Sequence, residues 1–358
     1  MAFLFVLSLK GGGAMEGANA GNRKTTTRFL CFAVLAAGVA LVFLLNLGVG
    51  VAKIELSEIA RILFGVPLEG DTNFIIIQRI RLPRALASLA GGASLAISGL
   101  LLQTYFANPI IEPYILGVTS GSTLFVGLVM LGGFTFGLPR VTPLFLFGGA
   151  FLGAMLIMAV ILFAAGRVKS VVTLLIIGLM AGYVCGAATS ILSAYAEKQR
   201  LTNFVMWNMG SFSGFTWAQI RLMYGATLPM LAVSCLMAKP LNILSMGDQY
   251  AHSMGVNVKA TRYGIIVVSS VLVAATTAFA GPVSFIGLAA PHICRIIFQT
   301  SNNRLLIPAS ILGGGLLSGF CDFVARNIVS PMELPLGSIT SVIGAPLVVF
   351  LLMRKEKL

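Results

Sequence analysis

The chain has 358 residues, of which 58% are hydrophobic and only 10% charged, with a mean hydropathy of +0.97. A water-soluble domain carries about 25% charged residues, so this composition excludes an ordinary soluble enzyme and specifies an integral membrane protein. The net charge of +13 would suggest a nucleic-acid partner in a soluble protein. Here the basic residues sit at the ends of apolar runs, where they set orientation, and no nucleic-acid role is expected.

A membrane span needs roughly 20 apolar residues. The runs are continuous, not alternating in segments of about ten, which predicts helices and not a barrel: an all-α integral membrane protein. In chain order, residues 2–9 are apolar but too short for a span, and no basic region precedes them, a poor fit to a secretory signal. Met15 precedes a polar, basic stretch from Asn22 to Arg28. Residues 1–28 are therefore expected to form a cytoplasmic tail, with 1–14 upstream of the true start, and 29–358 a single membrane domain.

About ten transmembrane helices are predicted, over 29–50, 84–105, 114–132, 143–166, 171–195, 219–239, 262–280, 284–298, 305–327 and 337–353. Fourteen of the 24 Lys and Arg fall on the side that also holds both termini, which predicts a cytoplasmic location for the two ends. Helix faces with Gly at every fourth position, such as Gly178, Gly182 and Gly186, Gly149 and Gly153, and Gly315 and Gly319, predict close bundle packing, with a dimer seam as the alternative. A loose echo of the Pro and Glu pattern of 109–113 in 331–335 hints at inverted halves.

Arg79, Arg81 and Arg84 crowd the outer mouth of the second helix, suited to carboxylates of a partner or to lipid headgroups. Asp322 and Arg326, four apart in the ninth helix with the acid first, predict an intrahelical pair. Both tryptophans, Trp207 and Trp217, mark an interfacial segment on the outer side. The five cysteines lie in or beside apolar runs, with no CxxC pair, and His292 has no second ligand near it in sequence. Neither pattern makes a metal site.

The polar segment 240–261 interrupts this apolar chain, and the orientation places it in the cytoplasm. Ser245 is expected to cap a short helix with Asp248 three residues on, and Gly255 to close it. Met246, Tyr250 and Met254 then share one exposed, adaptable face, fit either to lie on lipid or to seat against a soluble partner. The chain carries no G-x4-GK[ST] phosphate loop, no HExxH, and no serine in a nucleophile elbow. No bond-making chemistry is expected of it.

Six segments, RLPR at 81–84, NPIIEPYILGVTSG at 108–121, Trp207 to Trp217, MGDQYAHSMGV at 246–256, GPVSFIGLAAPHICR at 281–295 and ELPLGSITSVIGAP at 333–346, together resemble the FecCD-type permeases over residues 30–355. These are membrane subunits of bacterial ABC importers for iron–siderophore complexes, haem and vitamin B12. The resemblance implies the type II ABC importer permease fold in the inner membrane, a homodimer of permeases, two cytoplasmic ABC ATPases that bind ATP and Mg, and a substrate-binding protein outside. This chain itself would bind no cofactor.

It further implies that Met246, Gly247, Asp248, Tyr250, Ala251, His252, Met254 and Gly255 form the ATPase-coupling helix, and that Arg81, Arg84 and Arg326 receive acidic residues of the binding protein. Asn108, Pro109 and Ile110 would form a cytoplasmic gate, with Val171 and Val172 where vitamin B12 importers carry a small hydroxyl pair. The valines make a drier gate. The alternative from the residues alone is an ion-coupled secondary transporter of a small molecule.

Overall fold

The computed structural model describes residues 17–50, 52, 54–65, 72–132, 142–168 and 170–355; of these, 17–25, Leu56, Val171, Leu347 and 350–355 are described by backbone only. The segment 1–14 expected to precede the start lies outside the described residues, as do Lys53 and Lys169. Every regular element among the described residues is helical. They are α1 (Gly17–Gly48), α2 (Leu56–Phe64), α3 (Thr72–Ile75), a π-type turn (Ile76–Arg81), α4 (Leu82–Tyr105), α5 (Val118–Met130), α6 (Pro143–Ala165) and α7 (Val171–Ala194). There follow α8 (Lys198–Asn208), α9 (Trp217–Leu236), α10 (Ala238–Leu244), α11 (Asp248–Ser253), α12 (Val258–Ala280), α13 (Ile286–Phe298), α14 (Asn303–Asn327) and α15 (Leu336–Lys355).

Six of these helices are long and apolar enough to span a membrane, α9 with α10 makes a bent seventh, and α5, α13 and the first half of α15 are shorter apolar helices. Each of the ten segments expected to span coincides with one of these apolar helices, though three of them are shorter than a full crossing. α1 starts at Gly17, well before the expected span, so the backbone of the expected tail is helical from there. Helix starts are set by local chemistry: Thr142, Ser170, Thr216, Asn257 and Asn302 each accept a backbone N–H with the side chain at the N-terminus of the following helix.

α4 is the central element. It packs against α12, α13 and α14, and most of its residues are buried. Its sequence is built from Ala, Gly, Ser and Leu, and the small residues let neighbouring backbones touch. A Cβ on Gly92 would run into the carbonyl of Gly314 on α14, and one on Gly99 into the carbonyl of Gly287 on α13. Gly121 and Gly153 face each other in the same way between α5 and α6. Of the Gly-rich faces read in the sequence, Gly178 and Gly182 receive the chain at Leu116 and Gly117, while Gly186 has nothing within 4 Å.

α5 and α13 have 13 residues each, a rise of about 20 Å, too short to cross alone. Each is preceded by irregular backbone, 106–117 and 281–285. Non-helical backbone at this depth survives only where protein groups satisfy it. In the first stretch the N–H of Asn108 donates to Gln103, that of Leu116 to Glu112, and that of Val118 to Pro113. Gly117, at φ +73°, makes the left-handed turn into α5.

Candidate functional site

Three groups of residues singled out in the sequence occupy distinct places. The first is the polar segment. α10 breaks from α9 by 55°, and after it Gly247, at φ +109°, redirects the chain into α11. Gly255, at φ +75°, closes the helix, with Val256 N–H on the Ala251 carbonyl and Gly255 N–H on that of His252. The expected cap is different. Ser245 ends α10 instead of starting α11, and its hydroxyl donates back to the Asn242 carbonyl at 2.7 Å, because Gly247 intervenes before the helix begins. The helix is six residues long, shorter than the cap spacing predicted.

α11 is pinned by one side. Ala251 is fully buried, whereas Met246, Tyr250 and Met254 are 66%, 43% and 55% exposed and His252 is also exposed. Asp248, expected to act as a cap, instead takes Arg262 of α12 at 2.8 and 3.1 Å. The pair is half exposed, so by itself it is worth about 0–1 kcal/mol. Its geometry matters more: the Arg262 guanidinium also lies 5.4 Å from the centre of the Tyr105 ring, at the C-terminus of α4.

Tyr105 leads into the second group, the turn carrying Asn108, Pro109 and Ile110. Ala107 adopts φ +47°, and the Asn108 side chain accepts the Ile110 N–H at 3.0 Å. Ile110 is exposed. Val172, at the start of α7, is exposed as well, and Val171 is described by backbone only. The 106–117 stretch returns to α7 at its far end, where Gly117 lies against Gly178 and Gly182.

The third group is the outer rim. The sequence reading presented Arg81, Arg84 and Arg326 outward; in the structure Arg81 and Arg84 are each only 4% exposed. Arg84 straddles the carboxylate of Asp322 with Nε and Nη2 at 3.0 Å, and donates Nη1 to Glu333 at 2.6 Å. The expected Asp322–Arg326 pair is therefore not what forms. Arg84 comes in from α4 and offers its two-pronged fork to a fully desolvated acid, which a side chain on the same helix cannot match.

Arg326 instead donates to the carbonyls of Asn46 and Val49, at 2.9 and 2.7 Å. Arg81 donates to Leu47 at 2.6 Å, to Gly48 at 3.0 Å and to Ala52. Two arginines thus cap the C-terminal carbonyls of α1, whose own last turn holds no basic residue. Orphan carbonyls and the negative end of the helix dipole are both satisfied by cations from elsewhere in the chain. Nearby, Trp217 donates its indole N–H to the Gln78 carbonyl at 2.9 Å, and Trp207 donates to that of Ala278 at 3.2 Å.

Sequence reasoning missed Arg262 and Tyr105 as partners of the polar segment. It also missed Asn242, which bonds Asn302 at 2.8 Å and the Asn303 N–H at 2.7 Å. A cation at each end of the polar insert was the visible signal for Arg262; the others join residues far apart in the chain and left no local trace.

The model of the FecCD transport family matches residues 38–354. The chain is 35% identical to the hemin transport system permease protein HmuU of Yersinia pestis, over 90% of this chain and 96% of that one. It is 36% identical to the vitamin B12 import system permease protein BtuC of Yersinia pseudotuberculosis, over 79% of this chain and 83% of that one. Among solved structures it resembles an inward-facing protein described as a metal-chelate type ABC transporter, with a TM-score of 0.78 and 29% identity over 90% of this chain and 98% of that one. With the family model covering residues 38–354 and the hemin permease matching over nearly the full length of both chains, the protein belongs to the FecCD transport family.

Proposed function

We propose that this chain is the membrane permease of an ABC importer that carries an iron chelate, haem or a ferric siderophore, into the bacterial cell. One observation carries the reading most: Tyr250 on α11, Met254 at its end and Met246 just ahead of it are all exposed, while α11 is fixed by the buried Ala251 and tied through Asp248 to α12. A short anchored helix with exposed apolar side chains on it and at its ends, in a chain without a phosphate loop, suits a seat for a separate ATPase. Met246, Gly247, Asp248, Tyr250, Ala251, His252, Met254 and Gly255 are its contact set. Two such ATPases hydrolyse ATP, and this chain makes and breaks no bonds.

Asn108, Pro109, Ile110, Val171 and Val172 form the inner gate, whose apolar character favours a partly apolar chelate over cobalamin. The binding protein docks at the outer rim. There Arg84 stands against Asp322 and Glu333, Arg81 and Arg326 sit on the carbonyls at the end of α1, and exposed Arg79 adds to a positive field that steers an acidic surface. The permease works as a homodimer with both termini in the cytoplasm. The exposed α7 residues Met180, Tyr183 and Val184, beside the open Gly186, suit a second copy.

The test of substrate class is uptake by proteoliposomes holding the permease, its ATPase and its binding protein, with ATP inside and labelled haem, a ferric siderophore or cobalamin outside. Accumulation of haem or the ferric siderophore at least tenfold above cobalamin is expected. Preferential accumulation of cobalamin would overturn the chelate assignment.

A further inference from the structure

Glu112 has no part in the reading above, yet it is the most deeply buried acid after Asp322 among the described residues, at 2% exposure. Unlike Asp322 it takes no Arg or Lys among the described ion pairs. Its carboxylate meets the start of α13, accepting the N–H of Phe285 at 3.3 Å. Phe285 is held at φ +65°, a conformation rare for a residue with a side chain, as it turns the chain into the helix. An acid at a helix N-terminus is stabilised by the unsatisfied N–H groups there. Glu112 thus joins the two irregular stretches, 106–117 and 281–285, that make α5 and α13 short.

The two ends of α13 lead to different places. Its C-terminal end runs through Gln299 into Asn302 and Asn303, which Asn242 of α10 holds just ahead of the coupling helix α11. Along its length α13 is clamped to α4. Gln103 donates to the Gly287 carbonyl at 3.2 Å and accepts from Arg295 at 2.8 Å, and the backbones of Gly99 and Gly287 touch. Its N-terminal end bears on Glu112, two residues from Ile110 of the gate turn. A path therefore runs from the coupling segment through α10 to the start of α14, along the connecting chain into α13, and through Glu112 to the turn that carries Asn108, Pro109 and Ile110.

We infer that Glu112 is a positioning residue of the transport cycle: its carboxylate fixes the gate turn to the N-terminus of α13, so that displacement of the coupling segment moves the gate. The inference rests on the coupling and gate assignments proposed above. Contact alone does not establish coupling, so the test reads coupling directly. A carboxylate that only stabilised the fold would, on removal, lower ATP hydrolysis and uptake together through loss of assembled complex. A positioning carboxylate changes their ratio.

The experiment compares Glu112→Ala, Glu112→Gln and Asp248→Arg in the complete complex in proteoliposomes, measuring substrate accumulated per ATP hydrolysed on complex purified as a single assembled peak. Glu112→Ala is expected to lower that ratio at least tenfold. Glu112→Gln, whose amide oxygen still accepts an N–H, should lower it by a smaller factor. A ratio equal to wild type in Glu112→Ala, with Asp248→Arg uncoupled, overturns the role of Glu112 and leaves the coupling helix standing. A wild-type ratio in both variants overturns the coupling assignment as well. Should Glu112→Ala fail to assemble, Glu112→Gln decides: a lowered ratio supports the inference and an unchanged ratio overturns it.

Discussion

Replacing Asp322 by Ala will destabilise the protein by about 3–5 kcal/mol, because Arg84 will then be left 4% exposed and without the acid that its fork straddles. Glu333 remains within 2.6 Å of Arg84, but its side chain is 39% exposed and meets only one guanidinium nitrogen. The loss will appear as a lower melting midpoint of the purified permease in detergent. Replacing both partners with apolar residues, Arg84→Met with Asp322→Leu, should recover much of it, since a buried pair is often no more stable than well-packed side chains of similar volume. Equal melting midpoints for wild type and Asp322→Ala would show that this ion pair does not hold α4 to α14.

The second large effect lies at the opposite end of the molecule. Asp248→Arg will abolish ATP-driven uptake, and deletion of 247–253 will do the same, while the chain still inserts in the membrane. In Asp248→Arg the loss of a half-exposed pair costs little stability. What changes is that two cations now face each other across Asp248's place and Arg262, pushing α11 off α12 and Arg262 off the Tyr105 ring. The two results are separable: the Asp322 variant loses stability, whereas Asp248→Arg keeps its melting midpoint and loses transport. Normal uptake by Asp248→Arg would remove α11 from the coupling role.

The ten apolar helices and the polar segment were legible because each is a local property, a run of apolar residues or a break in one. Gly247 and Gly255 were legible in part: Gly255 closes its helix as expected, but Gly247 starts it two residues later than Ser245 suggested. The rim was legible as a concentration of charge and illegible as a set of bonds. A spacing of four between Asp322 and Arg326 suggested a pair within one helix. The partner that wins, Arg84, lies 238 residues away and arrives only through the packing of α4 on α14.

The same holds for Glu112. Its sequence showed an acid in an apolar stretch, and its meaning came from the N-terminus of α13, 173 residues on. Short helices with irregular leads, such as α5 and α13, are hard to read because the pattern shows where apolar residues run and not where the backbone stops being helical.

The central claim is that transport through this chain is driven by ATP on a separate partner and not by an ion gradient. The direct measurement is accumulation of labelled haem or ferric siderophore by proteoliposomes containing the complete complex, with ATP, with a non-hydrolysable ATP analogue, and with ATP plus a protonophore. The account predicts accumulation with ATP, none with the analogue, and no loss on adding the protonophore. Accumulation that persists without ATP hydrolysis and collapses with the protonophore would contradict it and establish an ion-coupled carrier.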